Sequence, residues 1–230
     1  MPPIDDWKRR LGKPASKMIL GGVQQPENRS SSWFGRILQA SPGEAWPRHA
    51  GQLMWPLCQI NCEELPYRPD VIADLSMITV FIAPNVLPND TANGDGWCLR
   101  AYPAKAEVQP IEEPAHGSPL RPHSVHWELI EHDYPTYDDL PPDFPDELRD
   151  QYFDLDFENT GGTKLGGWPT NIQAEIYWAP FNRHPANPRY VFQIDSEPKA
   201  NWFWGDQGVG YFGRGTGASR DVWTMSWQCL

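Results

Sequence analysis

The run YVFQIDSE at residues 190–197 is the clearest structural signal in the sequence. Tyr190, Phe192 and Ile194 fall on one face of an extended chain, and a mixed set of side chains falls on the other. This period of two is typical of a half-buried β-strand. A glycine-punctuated aromatic turn follows at residues 202–212 (WFWGDQGVGYF), and a second alternating run closes the chain at residues 222–229 (VWTMSWQC). The C-terminal part is therefore predicted to be rich in β-strands.

An earlier stretch repeats this pattern. In LCQINCEELP at residues 57–66, the triplet QIN matches the triplet QID at 193–195, and Glu63 stands where Glu197 stands. Each copy has a Trp-Pro pair before it and an aromatic, β-branched run after it: 46–47 and 77–82 for the first, 168–169 and 208–212 for the second. These parallels predict an internal duplication of a β-rich half-unit, with Gln59 and Gln193 in equivalent places.

The composition points to short strands and turns rather than long helices. The chain has 25 Pro and 19 Gly among 230 residues, and both residue types disfavour helix interiors and central strands. A net charge of −11 argues against nucleic acid and anionic membranes as partners, since both need basic faces. The N-terminus has no apolar core of the secretory kind, and no apolar run approaches a membrane span. We expect a cytoplasmic α+β protein, mainly antiparallel β, with few short helices.

The segments are assigned as follows. Residues 1–31 are an N-terminal arm or short helix, residues 32–230 are a single domain with related half-units at about 33–102 and 164–230, and residues 103–163 form an acidic connecting segment. Within that connection, alternation at 125–130 predicts an edge or half-exposed strand. Residues 145–156 are the best helix candidate, because a proline and acidic residues suit a helix N-terminus.

The chain resembles the YwqG-like family, a bacterial group of unknown function. The resemblance lies in six blocks: Gly35 with the loop to Trp46-Pro47, PLCQIN with ELP at 56–66, KLGGWP with IQ at 164–173, FQIDS at 192–196, WGD with G and YF at 204–212, and WQC at 227–229. It implies an α+β fold dominated by antiparallel sheet with a duplicated core, and it implies no established activity. The chain departs from the family at Arg36, Gly210 and residues 213–215.

Polar residues inside the apolar motifs are the candidates for a pocket. A buried polar side chain without a partner costs about 1–3 kcal/mol, so such residues are either structural or face a cavity. Capping of turns is the plainer interpretation, because short polar side chains commonly close turns. The alternative is a small-ligand or hydrolytic site between the half-units, with these pocket candidates: Trp168, Gln173, Gln193, Asp195, Trp204 and Asp206.

No catalytic constellation emerges from the sequence. Four histidines cluster with Glu128 and Glu131 and raise the possibility of a site for zinc or another divalent ion: His116, His123, His126 and His132. A strand through this region would turn alternate side chains apart, which favours ordinary solvated or capping histidines. The sequence has no G-x-S-x-G elbow, and its glycine-rich runs lack the terminal Lys-Ser/Thr of a phosphate loop. We therefore expect no catalytic residues, no metal and no cofactor.

The concentration of acidic residues suggests a partner. Residues 128–158 contain 12 of the 30 Asp and Glu and only one Arg or Lys. A solvated acidic surface explains this simply, but interleaved aromatic residues would give a docking surface its apolar anchors. We hypothesise a non-catalytic protein-binding module for a basic protein, in its most concrete form an immunity protein against a cognate toxin. The proposed partner-binding residues are Asp138, Asp139, Asp143, Asp146, Glu147, Tyr137, Tyr152 and Phe153.

Overall fold

A ten-stranded antiparallel sheet forms the framework of the computed structural model, which describes residues 4–22, 28–88, 91–176, 178 and 184–230. The strands are β1 (Lys13–Leu20), β2 (Trp33–Phe34), β3 (Gln39–Ala40), β4 (Arg48–His49), β5 (Gln52–Leu53), β6 (Trp55–Asn61), β7 (Leu75–Ile82), β8 (Trp97–Pro103), β9 (Gln109–Pro110), β10 (His123–Asp133), β11 (Lys164–Gly166), β12 (Arg189–Asp195), β13 (Val209–Arg214) and β14 (Trp223–Gln228). The α-helices are α1 (Ile4–Leu11) and α2 (Asp146–Arg149). Single 3₁₀ turns lie at Asp70–Ile72, Tyr137–Asp139, Tyr152–Asp154, Pro198–Ala200 and Gly217–Ser219.

The strand order places the two motif glutamines at equivalent distances from opposite edges of the large sheet. It runs β14-β13-β12-β11-β1-β10-β2-β6-β7-β8, while β3 pairs with β9 and β4 with β5 in separate two-stranded ribbons. Gln193 lies on the third strand from one edge, and Gln59 lies on the third strand from the other. The α+β class with mainly antiparallel strands is confirmed. The correspondence of the two glutamines supports the duplication, which stays a hypothesis.

Two segments differ from their sequence-based assignments because each contains a strand that pairs on both sides within the large sheet. The arm expected at residues 1–31 contains the short helix α1, but its next segment is β1, an inner strand between β10 and β11. Strand β10 is also inner rather than an edge, although its side chains are half-exposed as expected. Pro14 and two lysines obscure the alternation of β1 in the sequence, so only its pairing reveals it.

The prediction of a helix at 145–156 is wrong beyond the first turn. Only Asp146–Arg149 is α-helical, and a 3₁₀ turn follows at Tyr152–Asp154. Tyr152 and Phe157 stack with their ring centroids 5.2 Å apart, and this packing competes with a continuous helix. Among the described residues the longest helix has eight residues, and none is long and apolar enough to cross a membrane.

The described residues form one large hydrophobic cluster against the sheet and three smaller ones, one of which lies beneath α1. The cluster beneath α1 joins Trp7 and Leu11 of this helix to buried aromatic and aliphatic side chains of the acidic segment. Trp7 and Phe144 meet edge to face with their ring centroids 5.0 Å apart. Most aromatic residues of that segment therefore fasten the N-terminal helix to the domain.

Candidate functional site

A buried ion pair anchors the loop that builds the site. Lys164 Nζ donates to Asp133 Oδ2 at 2.8 Å, and neither side chain has any exposed surface. The Asp133 carboxylate also accepts from the backbone N–H of Trp168 at 2.7 Å and of Thr160 at 2.7 Å. Burial lowers the pKa of Lys164, while the adjacent carboxylate opposes that shift. The carboxylate thus ties β10, β11 and the following turn together.

Glycine is required where this turn approaches Asp133. Gly166 and Gly167 have φ of +80° and +64°, in the left-handed region that glycine enters at low cost. A Cβ on Gly167 would lie 2.2 Å from Asp133 Oδ2, and one on Gly166 would lie 2.8 Å from the Tyr67 ring. The Gly-Gly pair therefore brings Trp168 directly over the buried carboxylate.

A cavity of about 430 Å³ opens beside this turn. Its walls come from both predicted half-units, from β1 and from the acidic segment. The lining includes Lys13, Tyr67, Asp139, Trp168, Trp178, Arg189 and Tyr190. The indole N–H of Trp168 donates to the Leu11 carbonyl at 2.7 Å, so the end of α1 fixes the orientation of this wall.

Burial shifts the pKa values of two charged residues at the cavity, Lys13 and Asp139. Lys13 Nζ lies 3.1 Å from the centre of the Trp168 ring, and burial there lowers the Lys13 pKa to about 8, although the residue as a whole remains exposed. Burial raises the pKa of Asp139 to about 6, against a hydrogen bond from Asn171 Nδ2 at 2.8 Å that favours the carboxylate. The cavity thus combines a cation on an aromatic face with a half-buried acid.

The six pocket candidates from the sequence separate in the structure. Trp168 lines the cavity. Gln193 lies behind it, where Tyr190 Oη donates to Gln193 Oε1 at 3.3 Å. Asp195 accepts backbone N–H groups of Gly162 at 3.0 Å and Ser196 at 2.7 Å. The remaining three lie outside the cavity lining: Gln173 and Asp206 are exposed, and Trp204 is fully buried.

The motif glutamines serve the framework. Gln59 Oε1 accepts from the backbone N–H of Leu38 and Gln39, and its Nε2 donates to two carbonyls. Gln193 Oε1 accepts from the Thr170 N–H at 2.8 Å, and its Nε2 donates to the Gly162 carbonyl at 2.9 Å. Each glutamine joins irregular backbone to the sheet through its hydrogen bonds. This is the structural role that the sequence analysis set against a pocket role.

The proposed partner-binding residues also divide. Exposed members are Asp138, Asp143, Asp146, Glu147, Tyr137 and Phe153. Asp143 is already paired with Arg10 at 2.7 Å, and Asp139 faces the cavity. The assignment of Tyr152 to the partner-binding surface is wrong, because its side chain is buried in the cluster beneath α1. Its Oη donates to the Pro135 carbonyl at 2.6 Å.

The four histidines do not converge. His116 stacks on Trp46, and His123 is buried against the carbonyls of Gly21 and Lys199. His126 is exposed, with Nε2 3.8 Å from Glu128. Within the described ranges, no group of three His, Cys, Asp or Glu side chains is arranged to hold a metal ion.

Sequence reasoning missed several residues of the site. Lys13 and Arg189 come from strands that lie far apart in the chain, and Asp133 looks like one of many acids in its segment. A usable signal existed for Lys164, since a lysine directly before Leu-Gly-Gly-Trp-Pro stands in an otherwise buried motif. A buried lysine needs a carboxylate, but the sequence does not say which one.

A family model decides the classification. Residues 38–213 match the model described as a domain of unknown function, DUF1963. The chain belongs to this family. The match agrees with the resemblance to the YwqG-like family. No curated protein matches the chain.

The DUF1963 match covers much of the site. It includes Asp133, Lys164, Trp168 and Arg189, and it ends within β13. Lys13 on β1 lies before its first residue. The buried ion pair and the Gly-Gly turn are therefore part of the matched DUF1963 region, whereas one of the two cavity cations comes from outside it.

Proposed function

We propose that this protein is a ligand-binding module that takes a small molecule into the cavity beside Trp168. The single observation that carries the proposal is the convergence of the two half-units, β1 and the acidic segment on one cavity of about 430 Å³. Small-molecule sites commonly have volumes of about 300–1,000 Å³, with largely apolar walls and a few placed polar groups.

The walls of the cavity rest on rigid elements. Trp168 is held by Asp133 through its backbone N–H and by Leu11 through its indole N–H. Tyr190 and Arg189 are part of β12, an inner strand of the large sheet. The strands and the buried ion pair hold this part of the lining in place, which reduces the entropy lost when a ligand binds there.

A ligand screen with blocked variants tests the proposal. A fragment library is screened by ligand-observed NMR against the wild-type protein, Val71→Trp and Pro142→Trp. Val71 and Pro142 both line the cavity, so a tryptophan there would occupy space that a ligand needs. Val86→Trp is the matched control, because Val86 is 62% exposed and lies outside the lining. Hits that bind the wild type and the control but neither blocked variant support the proposal; hits that persist in the folded blocked variants contradict it.

A second candidate function is docking of a basic protein partner in the cytoplasm, for example a toxin that this chain would neutralise. One observation favours it: Phe153 is 85% exposed and stacks on the 40% exposed Tyr137, with ring centroids 5.8 Å apart. We call the surface formed by Tyr137, Phe153, Asp138, Asp146 and Glu147 the acidic face. An exposed aromatic pair among acids could supply an anchor as well as charge complementarity.

Pull-down from the native organism tests the second candidate. A partner is captured with the wild type, with Phe153→Ser and with the double reversal Asp138→Lys/Glu147→Lys. Phe203→Ser is the control, since Phe203 is also exposed, at 45%, but lies outside the acidic face. The acidic face predicts a basic partner whose association slows with added salt and with the reversals. A partner bound equally by all variants would exclude this face.

A further inference from the structure

Two cations belong to the cavity lining. Lys13 and Arg189 both line it, and within the described part of the chain neither forms an ion pair or a side-chain hydrogen bond. The contact of Lys13 with the Trp168 ring is the interaction that holds its ammonium group in place. Arginine on a rigid strand is suited to bidentate recognition of a carboxylate.

The acids near these cations do not neutralise them by contact. Asp139 Oδ2 accepts from Asn171, and Asp70 is exposed at the start of its 3₁₀ turn. Asp133 is the buried partner of Lys164. The positive groups of the cavity are therefore free to receive a negative group, and the nearby acids set how strongly the site attracts it.

The aromatic walls indicate the rest of the ligand. Tyr67, Trp168, Trp178 and Tyr190 surround the same space. Trp178 is 3% exposed, and its Nε1 is the one buried side-chain donor without an acceptor whose residue lines the cavity, among the described residues. A buried unpaired N–H is costly, but Trp178 also lines a second cavity beside Trp223, so its Nε1 does not by itself mark this cavity.

We propose that the ligand is a small planar organic anion whose carboxylate contacts Lys13 and Arg189 while its ring packs against the aromatic walls of the cavity. This inference rests on the proposed function, because it names the chemical class that the same cavity accepts. The ring gains stacking and burial, and the carboxylate forms charge-assisted hydrogen bonds with the two cations. A neutral ring or a small anion without a ring satisfies only one half of the site.

Matched probes separate the charge from the ring. Benzoate, benzamide, acetate and inorganic phosphate are titrated by isothermal calorimetry and by NMR up to about 10 mM, ten times a millimolar Kd. We expect benzoate to bind about tenfold more tightly than benzamide and acetate, with shifts centred on the Trp168 indole. Phosphate tests charge without a planar ring, and we expect it to bind more weakly than benzoate.

Variants assign the charge to its source. Lys13→Gln and Arg189→Gln should each weaken benzoate binding about fivefold or more and bring it toward benzamide. Arg48→Gln is the charge-matched control, since Arg48 is exposed and outside the cavity lining. Unfolding curves of each variant verify the fold. Because Arg189 is also exposed, its replacement should leave the folded state intact.

The outcomes distinguish this inference from the proposed function. If benzamide binds as tightly as benzoate, or Arg189→Gln has no effect, the cavity binds ligands but the anionic class is wrong. If phosphate and acetate bind as tightly as benzoate, the planar ring is wrong. If no probe binds and the blocked variants do not alter the fragment screen, the inference and the proposed function both fall.

Discussion

Lys164 and Asp133 form an ion pair whose two side chains are both completely shielded from solvent, with Nζ and Oδ2 2.8 Å apart. The pair lies beneath the turn that carries Trp168, and the same carboxylate oxygen binds the Trp168 backbone N–H. The stability of the fold and the shape of the cavity therefore depend on the same group.

Removing one member of this pair should be severely destabilising. Lys164→Met leaves the Asp133 carboxylate buried without its countercharge, and we expect a loss of about 3–5 kcal/mol in the free energy of unfolding. Urea denaturation measures it. The double variant Lys164→Met/Asp133→Leu should lose less than the sum of the single variants, because it leaves no uncompensated charge. Additive losses would show that the two groups do not act as a pair.

Gly167→Ala should destabilise the protein more than a positive φ alone requires. The new Cβ would meet Asp133 Oδ2 at 2.2 Å, so the carboxylate or the turn must move. Gly43→Ala is the matched control, since Gly43 has φ +74° and nothing lies within 4 Å of a Cβ there. We expect about 1–2 kcal/mol for the control and a larger loss for Gly167→Ala, measured by denaturant unfolding. Equal losses would contradict the account of the turn.

Gln59→Ala and Gln193→Ala should both weaken the framework. Each removes hydrogen bonds from buried backbone groups, and about 1–3 kcal/mol is expected for leaving such groups unpaired. Gln59 binds four backbone groups through its side chain and Gln193 binds two, so the first substitution should cost more. Thermal unfolding ranks the two variants. Stability unchanged by Gln59→Ala would overturn the structural role.

Binding of a carboxylate should weaken in two steps as the pH rises. Asp139 becomes negative above its pKa of about 6 and repels the anion, and Lys13 loses its positive charge above its pKa of about 8. The other groups that face the cavity are Arg189, Asp70, Tyr67 and Tyr190. Calorimetric titration of benzoate from pH 5 to pH 9 measures the effect, and a carboxylate with a pKa of about 4 is mostly ionised over this range. Asp139→Asn should remove the lower step and Lys13→Gln the upper one; steps that survive both substitutions would belong to other groups.

The sequence predicts the framework well where a strand alternates and less well where the sheet itself imposes the conformation. The alternation around Gln193 correctly predicts a strand, but the expected half-exposure is wrong, because Val191, Phe192, Gln193 and Ile194 are all buried. The matching triplet at Gln59 lies at the corresponding place in the strand order. β1 escapes prediction because Pro14 interrupts its pattern and Lys17 adds a charge, and only its two neighbours make it an inner strand.

The sequence predicts the site only in part, because the strand order brings together residues that lie far apart in the chain. Trp168 stands out as an aromatic residue in a glycine-rich motif, and it does line the cavity. Trp204 has the same sequence character but is buried, because Gly210 leaves room for its ring: a Cβ there would lie 2.4 Å from Trp204 Cζ2. Lys13 and Arg189 have no sequence signal at all, since their proximity arises from the order of the strands.

The most direct test of the central claim is a crystal structure grown with 4-bromobenzoate, with anomalous diffraction measured at the bromine edge. We expect a bromine peak inside the cavity, with the ring against its aromatic walls and the carboxylate within hydrogen-bonding distance of Lys13 and Arg189. An occupied cavity in the wild type and an empty one in Val71→Trp would establish the site. A bromine peak found only elsewhere on the protein, with the cavity empty, would contradict the account.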